Sequence, residues 1–256
     1  MASYIKISLI PTLLLSLAAR QLCKTDMQEQ LLLAVKSNNY TQVEKSLSTG
    51  ADVNFLYSFN ETVLHKAVLL GHESIVNLCL SNGANPHIIN SDYESPLSFA
   101  CARGSYPIAR MLLSYGARPQ TFNRDGWTPL HYAVQHNNVK LVNMLVCASA
   151  DIDAQTSEGQ TALMCAAALG HTQLIQYFIC KKASLSLQDN DGNTALHRAV
   201  YAGKSQNVML LLQAGSPVFL KNKLGNTIFT IAEEAHMIDI IELLTHYKNS
   251  LQAKSY

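Results

Sequence analysis

Charge is scarce in this chain. Of 256 residues 14% are charged, with 19 Lys and Arg against 18 Asp and Glu, and the net charge is +1 with histidine neutral. Soluble proteins average about 25% charged residues. A nucleic-acid-binding surface needs clustered Lys and Arg to displace counterions, and no such cluster stands out, so no nucleic-acid partner is expected. The six cysteines, at 23, 79, 101, 147, 165 and 180, include no C-x-x-C pair and no compact Cys/His run. That leaves no zinc-site pattern. Most of them sit in apolar stretches such as "NLCL" and "FACA", where a free thiol packs as a small hydrophobe. The chain also lacks a G-x-S-x-G elbow, a phosphate loop and H-E-x-x-H, so neither an enzyme nor a cofactor is expected. Tryptophan occurs once, at Trp127. Apolar residues are not scarce: at 48% they permit a sizeable core and argue against disorder.

What the chain does have is a period. Leu31, Leu64, Leu97, Leu130, Leu163, Leu196 and Phe229 follow one another at intervals of 33 residues. Ala34, Ala67, Ala100, Ala133, Ala166, Ala199 and Ala232 keep the same step. So do Gly50, Gly83, Gly116 and Gly215, with Ser149 and Lys182 in the two intervening places. Seven units run without insertion over residues 27–250. Each reads alike. In 191–218, Asp-Gly marks a turn, Thr194 stands where a helix N-cap belongs, Gly203 stops that helix, and a second helix runs to Gly215. Helices this short are marginal alone in water, so they must pack on their neighbours.

The motif "TPLHYA" at 128–133, with weaker copies "TVLHKA", "SPLSFA", "TALMCA" and "TALHRA", resembles the ankyrin repeat, whose hallmark is T-P-L-H-x-A. The resemblance implies an all-α solenoid of about seven helix-turn-helix units with β-hairpin-like loops, and a concave face that binds protein. The outer units fit caps: the first lacks the motif, and the last reads "TIFTIAEEAH". Pro107 falls at the start of a second helix and should not kink it.

His65, His131 and His197 share one repeat position. They lie two units apart, on the order of 20 Å for helices packed roughly 8–10 Å apart, far beyond the ~2 Å reach of a zinc ligand. They are expected to serve hydrogen bonds within their own stack. Cys147 and Cys180, one unit apart, are expected to stay unpaired by the same spacing.

In ankyrin-like proteins the hairpin tips and the ends of the first helices line the concave face. Carried onto this chain, that gives Tyr93, Glu94, Arg124, Trp127, Gln160 and Asn193 in the hairpins, and Arg103, Gln135, His136 and Tyr201 near the helix ends. Aromatic groups and Arg often dominate recognition energy. Trp127 carries the strongest expectation of contact, since an exposed loop indole has no folding rationale. The first hairpin carries Phe55, Leu56, Tyr57 and Phe59. That apolar cluster either packs on the segment before the repeats or meets a partner.

Residues 1–26 stand outside the period. Their apolar run, Ile7 to Ala19, follows Lys6 and offers small residues at Ser16-Leu17-Ala18, as a signal peptide would. It is short for a membrane span, so membrane contact is confined to residues 7–19 if they are not removed. An apolar helix packed on the first repeat is the competing reading, and the five cysteines within the repeats favour a reducing compartment. Export is slightly favoured over a cytoplasmic location. "NYT" at 39–41 and "NET" at 60–62 match the glycosylation pattern, which matters only on a eukaryotic secretory route. Residues 251–256 form a polar tail. Together these readings predict a monomeric, non-enzymatic protein-interaction module, with an exported or membrane-delivered ankyrin effector as the alternative.

Overall fold

The computed structural model describes residues 25–253. The apolar run Ile7–Ala19 and the readings attached to it lie outside the described residues. Helix α1 covers residues 25–36. The remaining helices are α2 Tyr40–Ser48, α3 Val63–Leu70, α4 Glu73–Ser81, α5 Pro96–Ala102, α6 Tyr106–Ser114 and α7 Pro129–Gln135. They continue with α8 Val139–Cys147, α9 Ala162–Leu169, α10 Thr172–Cys180, α11 Ala195–Tyr201, α12 Ser205–Gln213, α13 Ile228–Glu234 and α14 Ile238–Ala253. These are seven helix pairs, one per 33-residue unit. The odd helices pack on odd helices and the even on even, so the pairs stack in two layers. The last helix runs through residues 251–253, past the point where the repeats were expected to end.

The period has a packing cause. Leu64, Leu97, Leu130, Leu163 and Leu196 are buried, and the alanines from Ala67 to Ala232 are at 0% exposure. A methyl side chain there lets neighbouring odd helices close up, and a larger group would overpack the seam. Thr62, Thr161, Thr194 and Thr227 cap their helices by accepting the N–H three residues on. Pro96 and Pro129 occupy the first helical positions and Pro107 the second of α6, all within the first turn, where a missing N–H costs no intrahelical bond.

The histidines complete these caps. Nδ1 of His65, His131 and His197 lies 2.9 Å from Oγ1 of Thr62, Thr128 and Thr194, and the Thr backbone N–H points at the same nitrogen. The N–H must donate, so Nδ1 accepts and the ring is neutral with its proton on Nε2. His131 Nε2 then donates to the Gln160 carbonyl of the next unit at 3.0 Å. Burial drives all three pKa values down, His65 to about 4, against the opposing pull of Glu61 on His65 and of the Gln160 carbonyl on His131. Each histidine serves its own stack, as expected from the spacing.

The loops between units form six fingers, residues 54–62, 87–95, 120–128, 153–161, 186–194 and 219–227. Each closes on itself by a backbone bond across its neck, for example Asn123 N–H to the Trp127 carbonyl and Asp189 N–H to Asn193, both 3.0 Å, with a turn bond inside it such as Gly126 N–H to the Asn123 carbonyl. One such pair is too short to make a strand, and the described residues contain a single isolated bridge, Gln155 with Thr161. Inside the neck, Asn90, Asn123, Asp189 and Asn222 each accept two backbone N–H groups through one side-chain oxygen. Successive fingers are tied tip to tip: Ser91 N–H donates to Phe59 O, Arg124 to Asp92, Ser157 to Asp125, Asn190 to Glu158 and Lys223 to Asp191.

The structure divides the apolar first finger. Tyr57 turns inward and its hydroxyl donates to the Gln28 carbonyl on α1 at 2.8 Å, with Phe55 edge-on to its ring. Leu56 and Phe59 stay exposed. The five described cysteines are all free thiols, and burial raises Cys79 to about 12 and Cys165 to about 11.

The histidine caps give a pH signature. A ring whose folded pKa lies below the unfolded value takes up protons on unfolding, so stability is complete above about pH 6.5 and falls as pH drops toward 4. For His65 the loss amounts to about 3 kcal/mol by pH 4. Urea midpoints measured from pH 7.5 to 4.5 should fall steadily for the wild type. They should fall less for His65→Met, which installs the residue found at the equivalent place in unit 5, Met164; equal slopes would contradict the assignment.

Candidate functional site

The fingers and the exposed stripe of the odd helices share one face, the palm. Its floor is the row Lys66, Phe99, Tyr132, Cys165 and Arg198, all half-buried and 33 residues apart. Each floor residue lies five positions after a finger residue, and in three units the two meet: Glu61 pairs with Lys66 at 3.3 Å, the Trp127 ring lies 5.4 Å from Tyr132, and Cys165 Sγ lies 3.9 Å from Gln160 Oε1. This row was not singled out from the sequence. Its signal was available as the partly buried position inside every copy of T-P-L-H-x-A, where the scaffold leaves the residue type free.

Trp127 is half-buried, packed on both His131 at 5.8 Å and Tyr132. The expectation of a free loop indole is corrected to that extent: the indole has a folding role, because its own helix supplies two rings beneath it. Glu94 is also engaged. Its Oε1 accepts from the Tyr132 hydroxyl at 2.5 Å and from Asn123 Nδ2 at 3.1 Å, while Oε2 is buried without a partner. Burial, reinforced by that carboxylate, pushes the Tyr132 hydroxyl pKa up. Tyr132 therefore stays a neutral donor that joins the second and third fingers to the floor.

Tyr93 and Arg124 form the clearest exposed pair. Arg124 donates through Nε and Nη2 to the Ser91 carbonyl, lies 3.3 Å from Asp92, and sits 6.0 Å over the Tyr93 ring. Tyr93 is 53% exposed and has φ +63°. The next four fingers place Gly126, Gly159, Gly192 and Gly225 there. At the first three of these a Cβ would come within 2.6–2.9 Å of the following finger's backbone. At Tyr93 a side chain stands in that gap, and the tip-to-tip bond beside it, Arg124 to Asp92, is the longest of the five at 3.3 Å. The scaffold pays for this ring in left-handed strain and in a stretched bond.

The helix-end residues face backward along the stack. Arg103 Nη1 donates to the Leu69 carbonyl at 2.7 Å and His136 Nε2 lies 2.6 Å from the Ala102 carbonyl, so both cap the preceding unit's odd helix. A cation at a helix C-terminus is favourable. Gln135 is exposed at the end of α7. Gln160 is held by Glu158 at 2.9 Å. Tyr201 is exposed, and its hydroxyl accepts from Asn222 at 3.1 Å. Asn193 departs from the exposed position expected for it: it is 5% exposed, and its Oδ1 accepts from the same Asn222 amide. The neighbouring finger covers it. Beside it Asp189 is buried and bound by Arg198 Nε at 2.7 Å, an ion pair that anchors the fifth finger to the floor. Among the described residues no group of His, Cys, Asp or Glu could hold a metal ion.

Stacked helix pairs with tied fingers at a strict 33-residue step agree with the comparison with known families. The profile described as ankyrin repeats (3 copies) matches residues 31–122, 64–156 and 149–222. The chain belongs to the ankyrin-repeat family. Its fold is similar to the ankyrin repeat domain of Bcl-3, described as a unique member of the IkappaB protein family, with TM-score 0.73 and 28% identity over 83% of this chain and 97% of that one. It is also similar in fold to the human ASB11 ankyrin repeat domain, with TM-score 0.69 and 23% identity over 78% of this chain and 90% of that one. No curated protein matches. Ankyrin-repeat domains are in general non-enzymatic modules for protein–protein interaction.

The placement of Trp127 has a measurable consequence. Trp127→Ala removes an indole packed on two rings and should lower the unfolding free energy by about 1–2 kcal/mol, read from denaturant midpoints. An unchanged midpoint would mean that the indole is free of the scaffold.

Proposed function

We propose that the chain is a monomeric, non-enzymatic interaction module that holds a partner protein against the palm, over fingers 2 to 5 and helices α5 to α11. The observation that carries this reading is Tyr93. A residue that costs the scaffold both a left-handed backbone and a tight tip-to-tip bond is kept for its ring, and that ring stands exposed beside Arg124. Trp127, Tyr132 and Phe99 continue an aromatic surface below it, with Tyr201 and Gln135 at the far edge. Tyr, Trp and Arg are the residues that most often anchor interfaces. Because the fingers are tied to one another, the surface is ordered before the partner arrives, which lowers the entropy lost on binding.

Tyr93→Gly separates the scaffold from the function. The substitution restores the residue found in the next four fingers, so the unfolding free energy should rise by about 1 kcal/mol. Quantitative capture from the native cell should show proteins retained by the wild type and lost from both Tyr93→Gly and Arg124→Ala. Variants that retain the same proteins as the wild type would move the binding surface elsewhere.

A further inference from the structure

The outward arm of each finger carries one residue whose chemistry changes halfway along the stack. In fingers 4 and 5 it is Gln155 and Gln188, and each primary amide stitches its finger to the next. Gln155 Nε2 donates to the Gly159 carbonyl at 2.6 Å and to the Gln188 carbonyl at 3.2 Å. Gln188 Nε2 donates to Gly192 at 2.5 Å and to Lys221 at 3.0 Å. In fingers 1 to 3 the same position is Leu56, Ile89 and Phe122, all exposed and none a donor. For finger 3 the matching acceptors are the carbonyls of Gly126 and Gln155. Among the described residues no side chain donates to either.

Both of those residues line a cleft of 530 Å³ between fingers 3 and 4, together with Phe122, which is 63% exposed, and Asp151. The cleft lies where the stitching amide of the following two fingers is missing. A smaller hollow of 410 Å³ at Tyr93, Phe122, Asn123 and Arg124 marks the same gap one finger earlier. The chain itself thus shows, one unit along, what chemistry fills such a place: a planar N–H donor on a short apolar stem, directed at two carbonyls.

The geometry points to this cleft as a binding site for an arginine side chain of a partner protein. The guanidinium is a planar fork that can serve both carbonyls, and its stem and face suit the exposed Phe122 ring. Charge selects it over a neutral amide. Asp151 in the lining has no basic partner among the described residues, and neither do Asp125 and Glu158 on the adjoining tips, whereas Arg124, which also lines the cleft, is already matched by Asp92 and the Ser91 carbonyl. A lysine ammonium has no planar fork for two carbonyls. The cleft shares Arg124 with the palm, so its test uses Phe122 and Asp151, neither of which the palm reading uses.

The test is an NMR titration of the full chain with N-acetyl-arginine N-methylamide, run beside the lysine and citrulline analogues. Arginine should give saturable shifts confined to the amides of residues 122–126 and 155–157. Lysine, which lacks the fork, and citrulline, which lacks the charge, should each bind about tenfold more weakly. Phe122→Gln supplies the missing amide from the chain itself, so it should abolish arginine binding and raise the denaturant midpoint, with its dispersed amide spectrum showing that it is folded. Asp151→Asn should weaken arginine binding severalfold. Shifts that do not saturate, an equal response to the three probes, or undiminished binding by Phe122→Gln or Asp151→Asn would each overturn the proposal.

Discussion

The structure depends on a backbone hydrogen bond repeated five times, from the tip of one finger to the tip of the finger before it, always 32 residues back. Ser91, Arg124, Ser157, Asn190 and Lys223 supply the N–H groups. The bond tolerates no insertion or deletion in a unit, because one residue more or less would carry the donor past its acceptor. It also explains the glycine beside the tip: at Gly126 a Cβ would sit 2.6 Å from Ser157 N. The 33-residue period of the sequence is therefore a geometric requirement of the stack. The helices follow from it, since the odd helices from α3 to α13, of seven or eight residues, are held in place by neighbours in register.

Much of this was legible in the sequence, for physical reasons that can be named. The Thr caps and the Ala and Leu rows act within one unit or at one seam, so each repeats its letter in most units, with Ser95 and Phe229 as exceptions. The palm was read less completely, because its side chains are placed by two units at once. Asn193 looks like a free loop amide until Asn222 of the next finger covers it. Trp127 looks like an exposed indole until Tyr132 is seen beneath it, five residues on. Arg103 and His136 reach backward to carbonyls of the preceding helix, a contact that sequence spacing does not announce. The Gln155 and Gln188 stitch had a signal in its 33-residue step, but its meaning needed the next finger's carbonyl.

Function and scaffold are separated by cost. Where a residue satisfies a cap or a seam, as with His131 and Ala133, the fold accounts for it fully. Where it strains the fold, as with Tyr93 at φ +63°, the fold gives no reason for it. Ser149 and Lys182 show a related strain at the ends of α8 and α10, taking left-handed φ where other units have Gly. Tyr93, Ser149 and Lys182 all lie in interior units of the stack.

Hydrogen exchange at the finger tips tests the central constraint most directly. The amides of Ser157, Asn190 and Lys223 sit at the outer ends of loops, where an untied N–H exchanges close to the rate of an open chain. If the tips are bonded finger to finger, these amides exchange far more slowly than that, with Arg124, whose bond is longest, the least protected of the series. Exchange at the open-chain rate for all of them would mean that the fingers move independently, and the account of a preformed palm would be wrong.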